Sequence, residues 1–149
     1  MTELEYVTKV RSILNEHSAD AKAQLTKLPE LLPEKTKAIE ITIFMDQDGE
    51  GFLTVRIALV GPDLYVLNKA IDECALLFES KIVDGAMVPD LPMMDSFDEE
   101  FSVHNALSDC AATWLVEVCD TAIVSSFGIP VNIVTHDEYG TKTPIALSQ

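Results

Sequence analysis

Two runs of alternating apolar residues surround one acidic, glycine-containing segment, and this pattern constrains the fold more than any other feature of the chain. The apolar positions are Ile39, Ile41 and Ile43 in the first run, and Leu53, Val55, Ile57 and Leu59 in the second. A spacing of two places such side chains on one face of a strand. Because residues 46–51 between the runs include two glycines, the pattern predicts a β-hairpin with a Gly-rich turn.

Other stretches repeat apolar residues every three or four positions, which is the period of a helix. The first stretch runs from Leu4 to Leu28, and we expect one long helix that is ended by Pro29 and Pro33. The second follows the Gly-Pro-Asp segment at residues 61–63 and extends to about Ile82. The sequence therefore predicts that helices flank the hairpin on both sides.

Residues 84–96 fit neither period and are rich in glycine, proline and methionine, so we expect a long ordered loop there. A third helix is expected to follow. Ser96 and Glu99 match a capping box at its start, and Gly128 marks its end. The apolar residues of this helix cover more than one stripe, which predicts a central, buried position.

A second alternating pair of segments, residues 131–135 and 143–147, predicts two short strands near the end of the chain. The element order is then α-β-β-α-α-β-β. This order favours a single α+β domain over residues 1–149, with helices on one face of a mostly antiparallel sheet. We expect three helices and about four strands.

Charge is distributed unevenly along the chain. Its 25 acidic and 10 basic residues give a net charge of -15, and residues 82–141 hold 11 acids without any lysine or arginine. A surface of this sign repels the phosphate backbone of nucleic acids, so we expect no nucleic-acid partner.

The acids concentrate around the 84–96 loop, where methionines occur as well. The residues expected to contact a partner are Asp84, Asp90, Met93, Met94, Asp95, Asp98, Glu99 and Glu100. Acids steer a basic protein toward such a surface, and methionines supply adaptable apolar contact. We therefore expect a small acidic binding protein with a basic protein partner, such as an inhibitor or immunity protein of a cationic toxin. The alternative is an acidic face that serves only solubility.

Two further functions remain open. The chain could be a structural or accessory homo-oligomer, for example a dimer joined through its less acidic N-terminal half. It could also be a metal-dependent enzyme that uses His136, Asp137 and Glu138. No sequence motif identifies a catalytic residue, a metal site or a cofactor site, so we expect none of them.

The acidic turn at residues 46–51 partly copies a calcium-binding loop. Asp46, Asp48, Glu50 and Gly51 occupy loop positions one, three, five and six of an EF-hand. Position twelve is Ile57 rather than glutamate, and strands flank the turn where an EF-hand has helices. This favours a plain hairpin turn over a weak cation site.

The cysteines and the N-terminus indicate the compartment. Cys74, Cys110 and Cys119 lack the spacing of metal or redox motifs and lie in apolar stretches, which predicts reduced, buried thiols. The N-terminus is acidic and lacks the apolar region of a secretory signal. No apolar stretch approaches the length of a membrane span. We therefore expect a cytoplasmic protein without a membrane partner.

Overall fold

The computed structural model of the chain describes residues 1–95 and 100–147. These residues form five α-helices: α1 (Glu3–Glu16), α2 (Ser18–Leu31), α3 (Leu64–Ala70), α4 (Val103–Val118) and α5 (Thr121–Phe127). They also form seven strands: β1 (Ala38–Met45), β2 (Leu53–Val60), β3 (Leu76–Glu79), β4 (Lys81–Val83), β5 (Ala86–Val88), β6 (Val131–Thr135) and β7 (Ile145–Ala146). A 3-10 helix, His136–Glu138, follows β6.

The main sheet has the strand order β3-β2-β1-β6-β7, and β4 pairs with β5 in a separate small sheet. All of these pairs are antiparallel except β1 and β6, which run parallel with Ile39 opposite Val131 and Ile43 opposite Thr135. The predicted single-domain α+β class with a mostly antiparallel sheet is confirmed. Within the described residues, however, the main sheet has five strands rather than four, and there are five helices rather than three.

The predicted β1–β2 hairpin is confirmed, and its alternating apolar residues form the centre of the core. Ile39, Ile41 and Ile43 are fully buried on β1, whereas the residues between them are half-buried. Helix α4 packs against β1 and β6 and buries Trp114, whose Nε1 donates to Ser18 Oγ at 2.9 Å. Each large side chain removed from water in this way stabilises the fold by about 1.5–3 kcal/mol.

The first predicted helix is in fact two helices, α1 and α2, which meet at His17. There the backbone leaves the helical region (φ −101°, ψ 3°), and His17 N donates to Leu14 O instead of continuing the α pattern. Pro29 does not end the second of these helices but lies inside its last turn, and α2 ends at Leu31, two residues before Pro33. A continuous apolar stripe therefore does not exclude a break when both helices pack on the same core.

The second predicted helix is also shorter than expected. Helix α3 ends at Ala70, and the chain then forms β3, in which Phe78 pairs with Val55 of β2. The apolar run Leu76–Glu79 is short enough to fit either period, so pairing with the existing edge of β2 decides its conformation.

The expected 84–96 loop is partly regular, because β4 and β5 form a hairpin across its start. Asp84 and Gly85 connect the two strands, and both have a left-handed backbone, with φ of 51° and 83°. Two consecutive residues with positive φ make the tight turn that matches the twist of paired strands.

The third predicted helix begins later than expected. The proposed capping box at Ser96 and Glu99 lies outside the described residues, and α4 begins at Val103 with Ser102 Oγ accepting from Asn105 N at 3.2 Å. This helix is also not continuous to Gly128. Asp120 caps a new helix, α5, and the axes of α4 and α5 differ by 81°.

Candidate functional site

Residues 80–94, which follow β3, are attached to β2 at one end and to the turn between β1 and β2 at the other. At its start, Ser80 N donates to Leu53 O at 2.9 Å, and Leu53 N donates to Ser80 Oγ at 2.8 Å. Further along, Met94 N donates to Glu50 O at 2.8 Å. The β4–β5 hairpin and the loop after it are therefore held at both ends against the turn that follows β1.

The described acids of this segment are exposed to solvent. Asp84 lies at the hairpin tip, Asp90 and Asp95 lie on the returning loop, and Glu100 precedes α4; all of them are exposed. Lys9 of α1 approaches one of them, with 4.0 Å between its Nζ and Asp90 Oδ2. We call the hairpin, residues 81–88, and the loop to residue 95 the acidic surface.

The other predicted contact residues have different positions. Met93 is 49% exposed, whereas Met94 is half-buried and packs against the core. Asp98 and Glu99 lie outside the described residues. The acidic surface thus offers Met93 for contact, while Met94 mainly fastens the loop to the domain.

The β4–β5 hairpin adds exposed apolar side chains that the sequence analysis missed. Ile82, Val83 and Val88 are 47%, 42% and 48% exposed. Lys81 pairs with Val88, and Val83 pairs with Ala86. The side chains of Lys81, Val83, Ala86 and Val88 therefore share one face of the hairpin. An Asp-Gly pair between short apolar segments is a strong hairpin signal, and it could have revealed this face.

The acidic turn beside this surface is built around one carboxylate. Asp46 accepts hydrogen bonds from the backbone N–H groups of Glu50, Gly51 and Phe52, at 2.9, 3.2 and 3.1 Å. Its backbone carbonyl accepts from His104 Nε2 at 2.6 Å. The first residue of the calcium-loop-like pattern therefore organises the turn, in agreement with the plain-turn interpretation.

Gly51 allows the returning loop to approach this turn closely. Its φ is 108°, and a Cβ atom at this position would lie 2.7 Å from Pro92 O. A side chain here would require both an unfavourable backbone conformation and a displaced carbonyl. The turn and the loop can pack together only because residue 51 lacks a side chain.

His104 and Ser108 share one face of α4, and both contact the segment after β6. The His104 ring stacks on Tyr139, with 4.1 Å between the centroids and 6° between the planes. Ser108 is fully buried and donates to Tyr139 O at 3.1 Å, and its Oγ lies 2.8 Å from Thr135 Oγ1. Both side chains therefore fix the segment after β6 on the domain.

The candidate metal-binding residues after β6 lie at the surface of the domain. His136 Nε2 lies 3.6 Å from Asp137 Oδ1, both side chains are more than half exposed, and the His136 ring packs against Phe44. Asp137 and Glu138 have left-handed backbones, with φ of 65° and 60°. No group of three His, Cys, Asp or Glu side chains that could hold a metal ion occurs in residues 1–95 and 100–147.

The three cysteines are free and buried, as predicted. Burial raises the pKa of the Cys110 thiol to about 11 and that of the Cys119 thiol to about 12. Burial also raises the pKa of Cys74. Because the thiolate is the reactive form, these side chains have the character of core residues rather than nucleophiles.

Helix length bears on the expectation that the chain has no membrane partner. In the part of the chain that the structure describes, no single helix has the length and apolar character of a membrane span. Helices α4 and α5 would meet these criteria only as a pair, and they are bent by 81°.

Comparison with known proteins identifies a family but no function. Neither a curated protein nor a solved structure matches the chain significantly. The model of one family matches residues 1–149. The chain therefore belongs to DUF6389, a family of unknown function.

Proposed function

We propose that this chain is an acidic binding protein that docks its acidic surface on a basic protein partner. The observation that carries the proposal is the combination of accessible apolar side chains with acids in one short segment. Val83, Val88 and Met93 are each between 42% and 49% exposed, and Asp84 and Asp90 lie between them in sequence. Apolar contact with an acidic surround is a pattern of surfaces that bind proteins.

The charge of this segment supports a basic partner. The acidic surface carries Asp84, Asp90 and Asp95 and one basic residue, Lys81. It lies beside the 46–51 turn, which adds further acids. A net negative field speeds the encounter with a basic protein, and the apolar side chains add affinity once water is expelled.

The anchoring of the segment supports binding with little rearrangement. Its two ends are hydrogen-bonded to Leu53 and Glu50, and Met87 within the hairpin is 4% exposed. A surface held in place before binding loses less conformational entropy when the complex forms.

An inhibitor or immunity protein of a cationic toxin is the specific form of this proposal. Carboxylates at the hairpin tip and on the returning loop can take the places of phosphates in the basic cleft of a nuclease. Such a role also fits our proposal of a cytoplasmic location, where a toxin would act on the cell that makes it.

The test is capture of partners from a lysate of the source cells, with washes at low and then high salt and identification by mass spectrometry. We expect one basic protein that high salt releases. The variant Asp84→Lys, Asp90→Lys, Asp95→Lys should lose it. The matched control, Glu16→Lys, Glu30→Lys, Glu34→Lys, changes net charge equally at exposed sites and should retain it. Equal capture by both variants would contradict the proposal.

A homo-oligomer is the second candidate, and an exposed run on α3 favours it. Leu64, Tyr65 and Val66 are 56%, 74% and 57% exposed, and three consecutive exposed apolar residues are unusual without a partner. They lie in the less acidic N-terminal half, where two copies repel each other least. Light scattering should then show a dimer that Tyr65→Glu converts to a monomer, and a wild-type monomer at all concentrations would exclude it.

A further inference from the structure

A groove of about 850 Å³ lies at the end of the sheet opposite to the acidic surface. The acidic surface is attached after β1 ends, whereas the groove includes Ile129 and Pro130, which precede the parallel strand β6. The bend between α4 and α5 opens it. Its volume lies within the range of about 300–1,000 Å³ that is typical of small-molecule sites.

The wall of the groove is mainly apolar. Its apolar side chains are Val116, Val124, Ile129, Pro130 and Leu147. Val116 is 44% exposed although it lies in a concave surface. An apolar ligand gains most free energy of binding where it covers concave apolar surface that is otherwise in contact with water.

The charged residues among the described lining of the groove are acidic. Glu117 and Asp120 line it, and no lysine or arginine is among its described lining residues. Glu117 Oε1 accepts from Arg11 Nη2 at 2.7 Å, so an arginine neutralises this carboxylate. Within residues 1–95 and 100–147, the Asp120 carboxylate accepts a single hydrogen bond, at Oδ1 from Ile123 N at 3.0 Å. The negative charge available to a ligand is therefore mainly that of Asp120.

We propose that this groove binds a small amphiphilic cation. Its apolar body lies against Val124, Ile129 and Leu147, and its ammonium or guanidinium head lies beside Asp120. The hydroxyl groups of Thr121 and Ser125, which also line the groove, accept further hydrogen bonds from the head. This site is independent of the acidic surface, because the two lie at opposite ends of the sheet.

The test uses two probes with the same apolar chain and opposite charge, octylamine and octanoate, and follows the backbone amide signals by NMR. We expect saturable binding of octylamine, with shifts concentrated at residues 116–130. Octanoate should bind much more weakly. Methylammonium, which has the charge without the apolar chain, should produce no saturable shifts, and this controls for general attraction to an acidic protein.

Variants locate the site. Ser125→Trp places a large side chain in the groove and should abolish octylamine binding, whereas Ser126→Trp, at an exposed neighbour outside the lining, should not. Asp120→Asn keeps a good helix cap and removes the charge. It should weaken octylamine binding about fivefold, as expected for the loss of an exposed charge pair.

The proposal is overturned if octanoate binds as well as octylamine, if neither probe saturates, or if Ser125→Trp leaves binding unchanged. Because the probes and variants do not involve the acidic surface, these results are also independent of partner capture.

Discussion

The turn at residues 46–51 and the hairpin tip at Asp84 and Gly85 both connect antiparallel strands with an aspartate and glycine, but they use the aspartate differently. Asp46 accepts three backbone N–H groups and is half-buried. Asp84 is exposed, and its side chain makes no hydrogen bond to any residue that the structure describes. The same residue type can therefore organise a turn or lie exposed at the surface, and its hydrogen bonds distinguish the two cases.

The glycines of the two turns provide the largest expected difference. Gly51→Ala forces a side chain into a positive-φ position and to within 2.7 Å of Pro92 O, so we expect a loss of about 3 kcal/mol in unfolding free energy. Gly85→Ala also places a side chain at a positive φ, of 83°, but no atom lies within 4 Å of its Cβ, and it should lose about 1 kcal/mol. Urea denaturation measures both. Equal losses would show that the loop does not pack on the turn as described.

Removing the carboxylates gives the next largest difference. Asp46→Ala leaves three N–H groups without their acceptor and should lower the unfolding free energy by about 2 kcal/mol. Asp48→Ala, in the same turn, removes an exposed acid and should change it by less than about 0.5 kcal/mol. Thermal unfolding of the two variants side by side provides the measurement, and a stable Asp46→Ala protein would refute the organising role.

Asp84→Asn should leave stability within about 0.5 kcal/mol of the wild type, because asparagine also tolerates a left-handed backbone. Its effect should appear in binding instead. We expect weaker capture of the basic partner at low salt, while calorimetric unfolding stays the same. A destabilised Asp84→Asn protein would mean that this side chain supports the hairpin, and the contrast with Asp46 would fail.

The smallest effect is expected for the ion pair between α1 and the returning loop. Lys9 and Asp90 are 4.0 Å apart and largely exposed, with side-chain exposures of 49% and 91%. Their contribution should be below about 0.5 kcal/mol and should vanish at high salt. A double-mutant cycle with Lys9→Met and Asp90→Asn measures it. A larger coupling would indicate that this pair helps to hold the acidic surface in place.

The sequence was sufficient to predict the strands and helices that have a long apolar repeat within one stretch of chain. Ile39, Ile41 and Ile43 place β1 and its buried face, because strict alternation over several residues has no other regular solution. Alternation also located β2, and the repeat of apolar residues every three or four positions located the main part of α4. The sequence also identified Asp84 and Asp90 as exposed acids, since a charged side chain on a loop is seldom buried.

Other features of the fold depend on short sequence signals or on contacts between distant parts of the chain. The Asp-Gly pair at residues 84–85 and the cap at Asp120 were present in the sequence but competed with longer patterns around them. The parallel pairing of β1 with β6 joins residues about ninety positions apart, and alternation alone does not specify a strand's partner. The groove could not be predicted, because it follows from the angle between two helices.

The pairing of β1 with β6 also determines when the fold can be completed during synthesis. The β1–β2 hairpin can form as soon as residue 60 has left the ribosome, but the other edge of β1 has no partner until residue 135 follows. Contacts so distant in sequence slow folding, and an unpaired apolar edge is open to aggregation. The isoleucine-rich strand at the centre of the finished sheet therefore has one open edge while the residues between 60 and 131 are synthesised.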